Sequence, residues 1–235
     1  MNKFIKIFSS IILTLTPMIM LSSCSDDEDN LSSTTKRIKS ILLSFDDGET
    51  IKNTFEYDSA GRIVCHSWTS SDGSDETATY EYGDSKIICT ITGTSFSTIS
   101  ETYILTNGLV SKCIRNEYDS AKYSYDSNKR LTGIETNISS YTEYDFVKWD
   151  NDNITSLQNS TYTYSDINAM NGFDDYYNDI DWVLYNQGYF GQCSKNLYKS
   201  ETSYGKTINY THELKDGYVV KTTGSDGTIK TYTWE

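Results

Sequence analysis

Hydrophobic and polar residues alternate along most of the chain after Arg37. In the segment TIKNTFEY, the residues Ile51, Phe55 and Tyr57 are separated by polar positions and share one parity. Alternation with a period of two is typical of a strand with one buried face, and these runs are rich in Ile, Val, Thr and Tyr. The pattern predicts a protein built almost entirely of β-strands.

A short phrase recurs between the strand-like runs. It reads YDSAGRI (57–63), YGDSKI (82–87), YDSNKRL (125–131) and LKDGYV (214–219). Asp side chains accept hydrogen bonds from backbone amides two residues on, and Gly or Asn readily adopts positive φ, so each phrase predicts a tight hairpin turn. Further turn signals are FDDGET (45–50), LTNGLV (105–110), WDNDNI (149–154) and GSDGTI (224–229).

These turns divide the chain into about a dozen or more strands that pair antiparallel with their neighbours in sequence. A sheet of that width twists and exposes its edges, so it is expected to curl towards closure. The single proline, Pro17, lies near the amino terminus and does not interrupt the later ladders. We predict an all-β fold over residues 37–235, an antiparallel meander curled into a soluble barrel or a strongly curved sheet.

Residues 168–191 depart from the alternation. Apolar side chains recur there at helical spacing, with Asp174 and Asp175 near the beginning and Gly188 near the end. This segment predicts one short helix near residues 173–187, which plugs or covers one end of the sheet.

The amino terminus has the features of a bacterial lipoprotein signal. Lys3 and Lys6 precede an apolar run, and Leu-Ser-Ser-Cys follows at 21–24, so residues 1–24 are expected to end in a lipidated Cys24. An uncleaved transmembrane helix is the alternative, but the run is short and contains Ser and Thr. The acidic and polar residues 25–36 predict a solvated tether.

Charge narrows the range of partners. The formal net charge is −13, and loss of residues 1–23 with their two lysines would bring it to −15. Such a chain repels phosphate backbones, which argues against nucleic acid. The expected partners are the membrane, through the lipid on Cys24, and a glycan or protein at the cell surface.

Motifs for catalysis, cofactors and metals are absent from the sequence. It contains no nucleophile elbow, no zinc-protease helix and no phosphate-binding glycine loop. Its two histidines are His66 and His212; His66 adjoins Cys65 and points to the opposite face of a strand. Asp150 and Asp152 lack the Gly and Glu of a calcium loop. We predict no catalytic, cofactor or metal residues, although numerous acids leave a carboxylate-dependent glycoside hydrolase as an alternative.

Four cysteines remain after Cys24. Those at 65, 89 and 113 fall on alternate predicted strands, about 10 Å apart, which is too far for a disulfide. Their even spacing from Ile63, Ile87 and Leu109 predicts one shared, buried face. A pair involving Cys193 is left open.

Tyrosine is abundant, with 20 residues. Many form Tyr-x-Tyr steps that place two rings on one face of a strand. Cross-strand stacking of such rings contributes roughly 0.2–1 kcal/mol per pair and gives them a structural role; the alternative is an aromatic surface for a glycan or peptide. The residues concerned are Tyr80, Tyr82, Tyr123, Tyr125, Tyr162 and Tyr164. A membrane-spanning barrel is less favoured, because neither face of TIKNTFEY is uniformly apolar.

Two resemblances follow from these segments. YDSAGRI and YDSNKRL resemble the YD repeats of rearrangement-hotspot shell proteins. The lipobox, the repeated hairpins, TYTYSD (161–166), GQCSKNL (191–197) and YTHELKDGYVVK (210–221) together resemble Bacteroidetes-type exported lipoproteins that carry a domain of unknown function described as porin-like in fold. This resemblance implies export and a porin-like β fold, and it implies no catalytic residue.

Asp-Ser-Ala occurs at 58–60 and 119–121 and is similar to an acceptor motif for O-glycosylation in that phylum, which would make Ser59 and Ser120 sugar sites in exposed loops. Taken together, the sequence predicts an outer membrane lipoprotein exposed at the cell surface, with a non-enzymatic binding or scaffold role. The alternative functions are a carbohydrate-binding accessory protein that uses tyrosine rows, and the hydrolase.

Overall fold

The computed structural model describes residues 36–94, 96–168 and 180–235. The predicted all-β fold is confirmed: within these ranges the chain forms seventeen antiparallel strands and one short helix. The strands are β1 (Ile38–Ser44), β2 (Thr50–Tyr57), β3 (Ile63–Ser70), β4 (Asp75–Tyr82), β5 (Lys86–Gly93), β6 (Phe96–Thr106), β7 (Leu109–Ile114), β8 (Asp119–Tyr125), β9 (Leu131–Ile138), β10 (Tyr141–Phe146), β11 (Lys148–Asp150), β12 (Asn153–Leu157), β13 (Ser160–Asn168), β14 (Asn196–Ser203), β15 (Lys206–Lys215), β16 (Tyr218–Gly224) and β17 (Ile229–Trp234).

The sheet curls into a nearly closed barrel. Each strand pairs with the next along the chain, except at Val147, where β10 ends and β11 begins. β1 pairs with both β2 and β17, and Arg37 and Glu235 exchange backbone hydrogen bonds of 2.8 Å. The two ends of the domain therefore lie side by side, and within the described residues the interruption at Val147 is the gap in the wall.

Inward-facing aliphatic side chains form the core. Ile63, Ile87, Val110, Leu131 and Ile154 are each at most 1% exposed. They lie at or near the strand ends that follow the predicted turns, where Asp or Gly reverses the chain. Burial of these residues on one face of each strand is the physical consequence of the alternation in the sequence.

Six aromatic side chains connect neighbouring strands through a polar atom. Each donates a hydrogen bond to the carbonyl of an aliphatic residue that lies at a β-bulge, where the ladder shifts by one residue. A bulge interrupts ladder pairing, so the aromatic donor satisfies a backbone acceptor that the sheet does not. The donor and acceptor pairs are Tyr57 to Ile38, Tyr82 to Ile63, Tyr125 to Val110, Trp149 to Leu131, Tyr164 to Ile154, and Trp234 to Val219.

The recurrent phrase has a structural explanation in these contacts. Asp58 accepts from the backbone amides of Ala60 and Arg62, each at 2.9 Å, and pairs with the Arg62 guanidinium at 2.7 Å. The guanidinium then lies 4.6 Å from the ring centroid of Tyr82 on the next hairpin. Asp126 and Arg130 repeat the turn, with Arg130 beside Trp149. These two phrases, YDSAGRI and YDSNKRL, thus each shape one hairpin and attach it to its neighbour.

The helix α1 (Trp182–Asn186) is shorter than the predicted helix at 173–187, and residues 173–179 lie outside the described ranges. Val183, Leu184 and Tyr185 are fully buried, and Phe190 packs edge-on against Tyr123 at 4.9 Å between centroids. Two backbone hydrogen bonds join this segment to the wall. The Val110 amide of β7 donates to the Tyr189 carbonyl, and the Gln192 amide donates to the Lys129 carbonyl in the β8–β9 turn. We call residues 180–193 the plug, because they fill one end of the barrel. No helix within the described ranges has the length and apolarity of a membrane span.

Candidate functional site

A chamber of about 680 Å³ lies between the plug and one part of the barrel wall. Its wall comes from β1 to β6 and β17, with Arg115 just after β7, and its floor is formed by Ile180, Asp181 and Trp182 of the plug. At the opposite end, beside the hairpin turns, the chamber is lined by Leu43, Ile51, Trp68, Glu76 and Lys230. The chamber combines apolar, aromatic and charged side chains in one half-open cavity.

Asp181 is the carboxylate of the floor. Its Oδ1 accepts from the Leu184 amide at 2.9 Å and caps α1, while its Oδ2 accepts from the Tyr80 hydroxyl at 3.0 Å. Burial raises the pKa of Asp181 to about 6, and the negative charge of Glu101 adds to the increase. Asp181 is therefore a carboxyl that exchanges a proton close to neutral pH.

Glu101 forms a second polar group in the wall. Its Oε1 atom lies 3.3 Å from Nε of Arg115, which follows β7. Its Oε2 atom accepts a hydrogen bond from the Tyr103 hydroxyl. Burial raises the pKa of Tyr103 well above its ordinary value, so this hydroxyl remains a donor. Asp181 and Glu101 are thus both engaged by donors of the protein itself.

His66 also faces the chamber. It lies on the opposite face of β3 from Cys65, but the predicted burial of Cys65 puts His66 on the outer face, and that placement is wrong. It stacks on Phe55 at 5.2 Å and meets Trp182 edge-on at 4.9 Å, and its Nε2 lies 2.9 Å from Asn53 Oδ1. Burial lowers the pKa of His66 to about 4, so the ring is neutral at physiological pH. A neutral imidazole has one N–H group. Because Asn53 Oδ1 can only accept, the proton is on Nε2, which donates to it.

The six tyrosines singled out in the sequence all face inwards. Tyr80, Tyr123 and Tyr162 are at most 8% exposed, and Tyr82, Tyr125 and Tyr164 are half-buried with their hydroxyls on backbone carbonyls. Tyr82 stacks on Tyr189 of the plug, and Tyr162 on Tyr198. A ligand role for these rings stays a prediction; of the six, Tyr80 lines the chamber.

The prediction that three cysteines share a buried face is wrong for Cys65. Cys89 and Cys113 are buried in the barrel, but a bulge places Val64 between Ile63 and Cys65 as an extra residue, which turns Cys65 to the outer face. Its thiol lies 3.8 Å from the Ser67 hydroxyl. All four cysteines of the described residues are free thiols, and burial raises the pKa of Cys113 to about 12.

Other predicted sites are separate from the chamber. Ser59 lies in the exposed Asp58 turn, whereas Ser120 lies within β8 and is half-buried, so the expectation of an exposed loop is wrong for Ser120. Their glycosylation stays a prediction. Asp150 and Asp152 flank the β11–β12 turn, and His212 contacts Thr222 and the Tyr198 carbonyl. Cys24 and the tether lie outside the described residues.

Sequence patterns did not single out Trp68, Glu76, Glu101 or Asp181. A signal was present for Glu76, since it shares a parity with Ala78 and Tyr80 and is therefore an acid on the buried face of a strand. Buried acids are rare without a partner or a function. Asp181 carried no such signal because it lies outside the alternating pattern.

Comparison with known proteins identifies the family of the domain and a solved structure with a similar fold. A family model, described as a domain of unknown function (DUF4595) with porin-like fold, matches residues 55–221. The crystal structure of a porin-like protein from Bacteroides uniformis ATCC 8492 superposes with a TM-score of 0.66 at 18% sequence identity, covering 84% of this chain and 98% of that one. At that identity the likeness concerns the fold alone. No curated protein matches the chain.

Proposed function

The chain belongs to the DUF4595 family of porin-like domains, and we propose that it is a non-enzymatic binding module, anchored at the cell surface, whose ligand occupies the chamber of the barrel. The observation that carries this proposal is the chamber itself. Its volume of about 680 Å³ lies within the range of roughly 300–1,000 Å³ that is typical of small-molecule sites. Apolar walls with a few polar groups are also the usual composition of such sites.

Binding is favoured over hydrolysis by the state of the carboxylates. A glycosidase needs one protonated and one ionised carboxyl that both reach the scissile bond. Here Asp181 caps a helix and accepts from Tyr80, and Glu101 is held by Arg115 and Tyr103. Their oxygens are already occupied, which supports a role in positioning the floor and wall and leaves Glu76 as the one carboxylate of the described lining that makes no hydrogen bond, where a glycosidase needs two.

Carbohydrate binding on rows of tyrosine rings has less support than ligand binding inside the chamber. The hydroxyls of Tyr82, Tyr125 and Tyr164 donate to backbone acceptors inside the barrel. The wide outer face therefore lacks the aromatic platform that this version requires from these residues. We place the ligand site inside the barrel instead.

The proposal can be tested by filling the chamber. Ile91 lines the chamber on β5, and the neighbouring Thr92 is exposed on the outer face of the same strand. The full chain, purified in detergent, is screened against neutral, cationic and anionic small molecules by calorimetry and by tryptophan fluorescence. Ile91→Trp should abolish the binding found in the wild type, and Thr92→Trp should leave it unchanged. If no class of molecule binds, or if both variants bind equally, the proposal fails.

The anchor is tested separately. Replacing Cys24 with Ser should move the protein from the membrane fraction to the soluble fraction, because the acyl chains hold it on the membrane. Protease treatment of intact cells should remove the wild-type domain if it is exposed outside. Retention of Cys24→Ser in the membrane, or protection from protease, would contradict the proposed location.

A further inference from the structure

Three side chains on adjacent strands form a continuous row on the chamber wall. Asn53 of β2 is the cross-strand partner of Trp68 of β3, and Trp68 is the partner of Glu76 of β4. All three line the chamber. Directly paired residues have Cβ atoms about 4.5–5.5 Å apart, so one small ring could contact all three side chains. We call Asn53, Trp68 and Glu76 the polar row.

The polar row retains hydrogen-bonding capacity that the deeper polar groups of the chamber have already used. Asn53 Oδ1 accepts from His66 Nε2 at 2.9 Å, which fixes the amide and leaves its NH₂ group for another partner. Within the described part of the chain, the Trp68 indole N–H and the Glu76 carboxylate make no hydrogen bond. Glu101 and Asp181, by contrast, are both engaged.

The chemistry of this row indicates the class of ligand. An amide NH₂ and an indole N–H donate, the Glu76 carboxylate accepts, and the indole adds an apolar face. An ammonium group can only donate and an ionised carboxylate or phosphate can only accept, whereas a hydroxyl does both. The charged residues of the described lining, three acids and two bases, give no strong preference for an ion. A ring that carries several hydroxyls beside C–H groups satisfies the donors, the acceptor and the indole together.

We propose that the polar row of Asn53, Trp68 and Glu76 binds a saccharide ring that stacks on Trp68, with hydroxyls on one side of the ring bound by the Glu76 carboxylate and hydroxyls on the other side bound by the Asn53 amide. This inference rests on the proposed function, since it names the ligand of the same chamber. It differs from a tyrosine-row site in position and in residues.

The test compares saccharides with ions on the full chain in detergent. D-Glucose, D-galactose, N-acetyl-D-glucosamine, L-fucose, maltose and cellobiose are the neutral probes, with choline and citrate as the cationic and anionic probes. Calorimetry should detect at least one saccharide. Glu76→Gln should weaken its binding about tenfold, because a hydrogen bond to a charged acceptor is replaced by one to a neutral acceptor. Glu81→Gln, on the exposed face of the same strand, is the matched control and should bind like the wild type.

A second variant removes the ring and keeps the test decisive if Glu76→Gln does not fold. Trp68→Ala should lose saccharide binding and also the binding-induced change in tryptophan fluorescence, with circular dichroism confirming the fold. If choline or citrate binds in the chamber and saccharides do not, the saccharide proposal is overturned while the binding module stands. If a saccharide binds with unchanged affinity in both variants, the polar row is not its site. If no probe of any class binds, the proposed function itself fails.

Discussion

Tyr125 shows how a single polar atom stabilises the barrel. Its hydroxyl donates to the Val110 carbonyl at 2.7 Å, and burial raises the pKa of the hydroxyl, so it remains a donor at all physiological pH values. Val110 itself is fully buried at a bulge. An unsatisfied carbonyl at such a position costs free energy, because water cannot replace the lost donor.

Tyr125→Phe should therefore lower the free energy of unfolding by about 1–3 kcal/mol. Tyr118→Phe provides the control, since Tyr118 is 65% exposed, and it should change stability by less than about 0.5 kcal/mol. Urea denaturation followed by tryptophan fluorescence measures both. Equal midpoints for the two variants would show that the hydroxyl contributes nothing to the barrel.

Asp181 links stability to pH. Its pKa is about 6 in the folded protein and near 3.9 when unfolded, so the folded state binds the proton more tightly. The stabilisation is complete below about pH 4 and is lost as the pH rises towards 6, because only the unfolded chain ionises freely in that window. Tyr80 and Glu101 are the groups that face it.

Asp181→Asn retains an N-cap acceptor and removes this ionisation. The wild type should lose stability relative to Asp181→Asn between pH 4 and 6, by up to about 1.4 kcal/mol for each pH unit, with no further change above about pH 7. Denaturation midpoints of both proteins across pH 4–8 measure the difference. A difference that is independent of pH would contradict the placement of Asp181 in a desolvated site.

The plug depends on a close approach between Gly191 and the β8–β9 turn. A Cβ atom on Gly191 would overlap the Lys129 carbonyl oxygen, and the residue has φ of +87°. Lys129 O also accepts from the Gln192 amide at 3.1 Å, so the turn and the plug are held together at this point. Only glycine fits such a contact.

Gly191→Ala should destabilise the domain more than Gly188→Ala. Gly188 has a similar φ of +80°, but a Cβ atom added there would meet nothing within 4 Å, so its replacement costs only the backbone term of roughly 1–2 kcal/mol. The additional cost at Gly191 measures the contact with Lys129. Urea denaturation and limited proteolysis compare the two variants. If both lose the same free energy of unfolding, the contact between Gly191 and Lys129 does not stabilise the domain.

Closure of the barrel leaves one weak seam. Among the described residues, β10 pairs with β9 and forms no ladder on its other side, and Tyr144 and Phe146 on its outer face are 61% and 73% exposed. β5, in contrast, pairs along most of its length with both β4 and β6. Strand edges without a partner open more easily, because fewer backbone hydrogen bonds must break together.

Hydrogen exchange should therefore be at least about tenfold faster for amides of β10 than for those of β5. Mass spectrometry of peptides that cover Tyr141–Phe146 and Lys86–Gly93 provides the measurement on the full chain. Peptides from the closing pair β1 and β17 should resemble β5, since β1 has two partners. Equal protection of β10 and β5 would show that the seam is closed in solution.

The sequence by itself determined the local features of this protein. Alternation specified strands, Asp and Gly specified turns such as Asp58–Gly61, and Tyr-x-Tyr spacing specified which rings share a face, because these depend on residues a few positions apart. Tertiary structure decided the rest. A bulge beside Ile63 reversed the side on which Cys65 lies, the pairing of β1 with β17 closed the barrel, and three paired strands brought Asn53, Trp68 and Glu76 together. These features depend on register between distant segments, which a local pattern does not encode.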